Sequence, residues 1–122
     1  MQHACLYVDD LGESHFKEIS FELDPSEFAP PAPPLNVSTT VPSKQLLFVA
    51  APTDWKGDWH PSPARQYLLI MSGELEIQAS DGEIRKFKSG DVVLATDVVG
   101  TGHISRSLGP DELKAVIVQL PD

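Results

Sequence analysis

Short apolar runs separated by turn residues dominate the chain from Gln45 onward. Leu46-Leu47-Phe48-Val49-Ala50 is unbroken, the pattern of a strand buried on both faces. A second strand is expected from Arg65 to Met71, and Ser72-Gly73-Glu74 then reads as a turn. Leu75-Glu76-Ile77-Gln78 alternates apolar with polar, as a half-buried strand does. Asp81-Gly82 is a hairpin signal, after which Glu83 to Phe87 returns. Ser89-Gly90-Asp91 turns the chain into Val92-Val93-Leu94-Ala95. Gly100-Thr101-Gly102 is a loop, with glycines suited to positive backbone dihedrals. Strands from His103 to Ser107 and from Leu113 to Leu120 flank the Gly109-Pro110-Asp111 turn. No helical period of useful length interrupts this series, and the pattern predicts an all-β sandwich or barrel.

The first 44 residues have a different texture. Ala4 to Val8 reads as a short strand, Asp9-Asp10-Leu11-Gly12 as a turn, and Phe16 to Leu23 as an alternating strand. His15 sits just before that strand, in a turn or surface setting or as a site residue. Between Phe28 and Leu35 lie Pro30, Pro31, Pro33 and Pro34, which cannot donate to a sheet and favour extended geometry. The expectation is an arm anchored by Phe28 and Leu35 on the barrel or on a neighbouring subunit. The other reading is a ligand for an aromatic-groove domain. The organisation is therefore one structural domain, with N-terminal strands and a proline-rich arm (1–44) packing on a barrel (45–122).

Composition narrows the function classes. A chain of 122 residues fits one domain large enough to bury a core without disulfides. The net charge of −9 opposes contact with nucleic-acid phosphates and anionic membranes. The one basic cluster, Arg85-Lys86-Phe87-Lys88, reads as the solvated face of a strand. No apolar run approaches the roughly 18 residues of a membrane span, and Met1-Gln2-His3-Ala4-Cys5 lacks the pattern of a secretory signal. Cys5 has no internal disulfide partner, and with the other signs predicts a cytoplasmic protein.

The candidate chemistry lies in Gly57, His60-Pro61-Ser62-Pro63-Ala64-Arg65-Gln66 and Gly73, and in Gly90-Asp91-Val92-Val93-Leu94-Ala95 followed by His103 and Ser107. These two stretches resemble the two motifs of the cupin superfamily. Its first motif is a glycine, a His-x-His pair, a Glu three or four residues on, and a glycine seven after the Glu. Here Gln66 stands at the Glu position and Gly73 follows it at the family spacing, while Ser62 replaces the second His. The second motif keeps Gly90 and His103, with Thr96 where proline is usual, Ser107 at the Asn position and a loop two residues longer. The resemblance covers about residues 45–120 and implies a double-stranded β-helix, or jelly-roll barrel. It also implies a metal position formed by His60, Gln66 and His103, with Ser62, Gln66 and His103 facing a ligand.

Physical chemistry qualifies that inheritance. Alternation along a strand puts His60 and Ser62 on one face and Gln66, Leu68 and Ile70 on one face. Two imidazoles can hold Fe²⁺, Zn²⁺, Ni²⁺ or Mn²⁺, but exchanging Glu for Gln removes a negative charge and exchanging His for Ser removes a nitrogen donor. The alternative is a hydrogen-bonded polar pocket floor without metal. Asp97 in the extended loop can act as an acid or base, orient His103, ligate directly, or cap an Asx turn. By alternation Trp59 and Tyr67 point away from the site. The expected protein binds a small polar organic molecule in the barrel, with a labile divalent metal. The alternatives are a metal-dependent isomerase, lyase or dioxygenase, and a non-catalytic sensor or partner-binding module. A homodimer is expected, formed by sheet extension or arm exchange.

Overall fold

A computed structural model describes residues 1–122. The protein is all-β. Its eleven strands are β1 (Gln2–Val8), β2 (Ser14–Ser20), β3 (Asp24–Ser26), β4 (Leu35–Val37), β5 (Gln45–Ala51), β6 (Gln66–Ser72), β7 (Glu74–Ala79), β8 (Ile84–Lys88), β9 (Val92–Ala95), β10 (His103–Leu108) and β11 (Leu113–Gln119). A six-stranded sheet has the order β2-β1-β9-β6-β11-β5, a three-stranded sheet the order β10-β7-β8, and β3-β4 form a separate pair. No ladder joins the edges of the two larger sheets, so they face one another as layers without closing into a barrel.

The N-terminus is woven into the main sheet. β1 pairs antiparallel with β2 and parallel with β9, so residues 1–20 are structural members of the large sheet. Period-two alternation explains the layering. Ala4 and Leu6 point inward and meet Val93, Ile70, Leu75, Ile77, Phe87 and Leu113 in one core cluster. Cys5 points to the opposite face and packs with Leu94 and Leu120, against Tyr67 and Val118. Cys5 is thus a buried strand residue, and burial raises its thiol pKa.

Two expectations are corrected. β5 is apolar from Leu46 to Ala51, yet it is not buried: Leu46 is 56% and Phe48 73% exposed. The physical reason is its position at the end of the sheet order, with β11 as its one neighbour. The proline-rich stretch is not anchored on this chain either, since Phe28 is 71% and Leu35 56% exposed. Leu35 belongs to the short β3-β4 pair, which ties residues 24–37 to themselves.

Candidate functional site

His60 and His103 come together through backbone pairing. The His60 amide donates to the His103 carbonyl and the His103 amide to the His60 carbonyl, each at 3.0 Å. In such a hydrogen-bonded antiparallel pair both side chains lie on one face. The two imidazole rings accordingly meet, with centroids 4.9 Å apart. His103 opens β10 opposite Ala79 of β7, and it is buried while His60 is exposed.

Gly102 makes this approach feasible. Its φ of +77° favours glycine, and a Cβ there would lie 1.9 Å from the His60 carbonyl oxygen. Gly100, with φ of +82°, lies equally close to the β1-β2 turn: a Cβ there would be 2.3 Å from the Gly12 oxygen. A buried serine network braces the same loop. Ser14 Oγ donates to the Gly102 carbonyl at 2.6 Å, and Ser80 Oγ donates to Glu13 Oε2 at 2.8 Å. Beside it, His15 spans two turns, with Nε2 at 2.7 Å from Asp9 Oδ2 and Nδ1 at 2.8 Å from Asp81 Oδ2. The Asp9 and Asp81 hydrogen bonds raise the His15 pKa, and the His15 contact lowers that of Asp9.

Hydrogen bonding fixes the ring nitrogens. His103 Nδ1 lies 2.7 Å from Asp97 Oδ2, and Asp97 is fully buried. His60 Nδ1 lies 2.8 Å from the Asp58 carbonyl, which only accepts, so His60 Nδ1 donates. With Nδ1 engaged in both rings, Nε2 is the nitrogen left to each for a proton, a ligand or a metal. A histidine backed by a carboxylate is the arrangement found behind metal-binding imidazoles. Asp97 Oδ1 is buried without any partner.

The other candidates are placed differently. Ser62 is buried; its amide donates to the Asp97 carbonyl at 2.9 Å and its hydroxyl to the Ala64 carbonyl at 2.6 Å. Ser62 therefore secures the Asp97 loop from the first motif. Gln66 begins β6, on the same face as Leu68 and Ile70, and its Oε1 accepts from Gln119 Nε2 at 3.0 Å. Gln119 in turn contacts Gln45, so three glutamines form a row across β6, β11 and β5. No hydrogen bond joins Gln66 to either histidine. No group of three or more His, Cys, Asp and Glu side chains is arranged to hold a metal ion. The five larger surface clefts, of about 190 to 560 Å³, are lined by other residues.

Two histidines stand out beyond the motif. His15 is the clamp described above; its neighbours Asp9 and Asp81 both sit in turns legible in the sequence, but their convergence is not. His3 is buried with both ring nitrogens unpartnered, and its ring stacks on Phe21 at 4.3 Å. Burial lowers the His3 pKa. Alternation turns His3 to the outer face of β1, away from Leu6 and the core.

No protein-family model and no curated protein matches the sequence. Among solved structures, protein NMB1881 from Neisseria meningitidis is similar at a TM-score of 0.46 and 16% identity, over 62% of this chain and 72% of that one.

Proposed function

We propose that this chain is a small cupin-type module that binds a small polar organic molecule at the His60–His103 pair, with a weakly held divalent metal. The observation that carries the reading is the joint state of the two rings. They sit 4.9 Å apart by centroid, each has Nδ1 engaged, and each keeps Nε2 for an incoming group. That state fits a divalent transition metal, such as Fe²⁺, Zn²⁺, Ni²⁺ or Mn²⁺. His60 and His103 would hold it, and it would supply Lewis acidity toward a bound oxygen or nitrogen ligand.

The rest of the donor set explains why the binding is weak. Gln66 is committed to Gln119, and Ser62 Oγ donates to a backbone carbonyl, so neither adds charge or a free nitrogen. A ligand carrying a carboxylate or an enol-type oxygen would complete such a site. Asp97 supports this as a positioning residue: being fully buried behind His103, it orients that ring and does not face the open side. An isomerase, lyase or dioxygenase reaction would need a further acid or base on the ligand side of the imidazoles, and Asp97, buried behind His103, does not stand there.

A thermal-shift titration of protein purified without a chelating tag tests the proposal. Zn²⁺, Co²⁺ or Ni²⁺ is expected to raise the melting temperature by linkage, and His60→Ala and His103→Ala are each expected to abolish the rise. Ser62→Ala is expected to retain it. A melting temperature indifferent to every metal, with none found by elemental analysis, removes the metal. Retention of the rise in His103→Ala removes the site.

A further inference from the structure

Among the four edge strands of the two larger sheets, β5 alone carries no charge. β2 presents Lys17 and Glu18, and Glu18 pairs with Arg85. β8 presents Arg85, Lys86 and Lys88, and β10 is partly capped by the bridges to Lys56 and His60. Charge on an edge strand is how proteins prevent unwanted strand pairing. β5 lacks that protection: its sequence, Gln45-Leu46-Leu47-Phe48-Val49-Ala50-Ala51, has no charge, no proline and no glycine. Its first four residues are all exposed, and one row of its backbone groups has no partner.

We infer that β5 pairs with β5 of a second copy of this chain, antiparallel about a two-fold axis at Phe48, joining two six-stranded sheets into one of twelve. The register follows from the strand itself, because centring on the fourth of seven residues pairs all seven. Phe48 then faces the partner's Phe48, Leu46 faces the partner's Ala50, and Leu47 faces the partner's Val49. Each large side chain but the central one meets a smaller one, and aromatic pairs are favourable cross-strand neighbours. The pairing would form about six to eight interchain backbone hydrogen bonds. The flanks are complementary in charge as well. Lys44 before the strand and Asp54 after it are exposed and appear in no ion pair of the single chain. The antiparallel register brings Lys44 of each copy to the end where Asp54 of the other lies. In a chain of net charge −9, a neutral strand with opposite charges at its ends is the surface on which two copies meet with least repulsion. Alongside it, an apolar cleft of about 250 Å³ lined by Phe48, Ala50 and Met71 lies on the outer face of the same edge. The inference does not depend on the metal or ligand reading of the histidines.

Sedimentation velocity over a concentration series is the first test, with a species of twice 13.3 kDa expected. Phe48→Lys sets two ammonium groups opposite each other at the axis and is expected to yield monomers with unchanged circular dichroism. The exposure of Phe48 makes that variant tolerable to the fold, and cysteine pairing offers an independent measure. Phe48→Cys is expected to cross-link under oxidation, because the two Cα atoms meet at the axis. Leu46→Cys is not, because the two copies of position 46 are about 13 Å apart along the strands, beyond the roughly 7 Å a disulfide spans. A monomer at all concentrations overturns the inference. A dimer that survives Phe48→Lys, or one that cross-links equally at 46 and 48, also overturns it.

Discussion

Gly102→Ala tests whether the meeting of His60 and His103 is as tightly built as its geometry implies. Two effects add at this position. An alanine at φ +77° carries the left-handed backbone penalty, roughly 1–2 kcal/mol. Its Cβ would stand 1.9 Å from the His60 oxygen, 2.2 Å from the His60 carbonyl carbon and 2.4 Å from the Pro61 nitrogen, where real contacts stop near 3.0 Å. All three are backbone atoms, so relief requires the His60 segment to withdraw by about 1 Å. The two amide–carbonyl bonds at 3.0 Å between His60 and His103 would then exceed hydrogen-bonding range. At about 1 kcal/mol each, their loss brings the total cost to roughly 3–4 kcal/mol. Gly82→Ala is the matched control: its φ is +96° and nothing lies within 4 Å of the added Cβ, so it carries the backbone penalty alone. In a domain of this size 1 kcal/mol moves the melting temperature by roughly 3–5 °C. Differential scanning calorimetry is therefore expected to show a drop of about 10 °C or more for Gly102→Ala, and about a third to a half of that for Gly82→Ala. Any metal-induced stabilisation should vanish in Gly102→Ala and persist in Gly82→Ala. Equal melting temperatures for the two variants would refute the reasoning, since the steric contact would then contribute nothing.

Asp97→Ala leaves the His103 Nδ1–H buried without an acceptor, and urea denaturation should register a loss of about 1.5–3 kcal/mol; Asp97→Asn, which keeps an acceptor oxygen, should lose less. His15 has a folded pKa raised above its ordinary 6.5 and Asp9 one lowered below its ordinary 3.8, so their clamp contributes fully between those two values. Its contribution should fade as pH rises through the folded His15 value and as pH falls through the folded Asp9 value, and a melting-temperature profile of His15→Gln should lack the alkaline fade. Leu6→Ala empties a fully buried core position and should cost about 2–5 kcal/mol by the same denaturation assay.

The strand content was legible because period-two alternation and turn residues are local signals. Val92–Ala95 is a strand at the bounds that the sequence suggests, and Gly82, Gly100 and Gly102 all take positive φ. The sheet assignment was not legible. The parallel β1–β9 pairing links residues about ninety positions apart, and nothing near Ala4 or Val93 encodes it. β5 misled for a related reason: an apolar run reports that a strand avoids water, not which surface removes it from water. In the candidate site, His60 and His103 were legible from motif spacing, and Asp97 as one of several roles for a loop carboxylate. Gln66 at the family's Glu position suggested a ligand, but a glutamine amide can satisfy itself with another amide, and Gln119 supplies one. The His15 clamp depends on three turns meeting in space, which no local pattern reveals.

The distribution of buried polarity bears on where function resides. The core cluster joining Leu6, Ile70, Leu75, Ile77, Phe87 and Val93 is apolar throughout. Four of the seven buried polar residues, Ser14, Ser62, Asp97 and His103, gather at the loop between β9 and the start of β10. A buried carboxylate needs partners for both oxygens to break even, and an apolar replacement of similar volume usually serves stability as well or better. Asp97 has one oxygen engaged by His103 and one with no partner, so its burial is only partly offset. The surrounding structure reinforces that arrangement: Ser62 holds the Asp97 backbone, Ser14 holds Gly102, and Gly102 at positive φ lets His60 close on His103. One unpartnered buried oxygen at a locus supported from three directions is the observation on which the proposed site rests. Within the pair, the carboxylate-backed His103 is the buried, fixed member and His60 the exposed one.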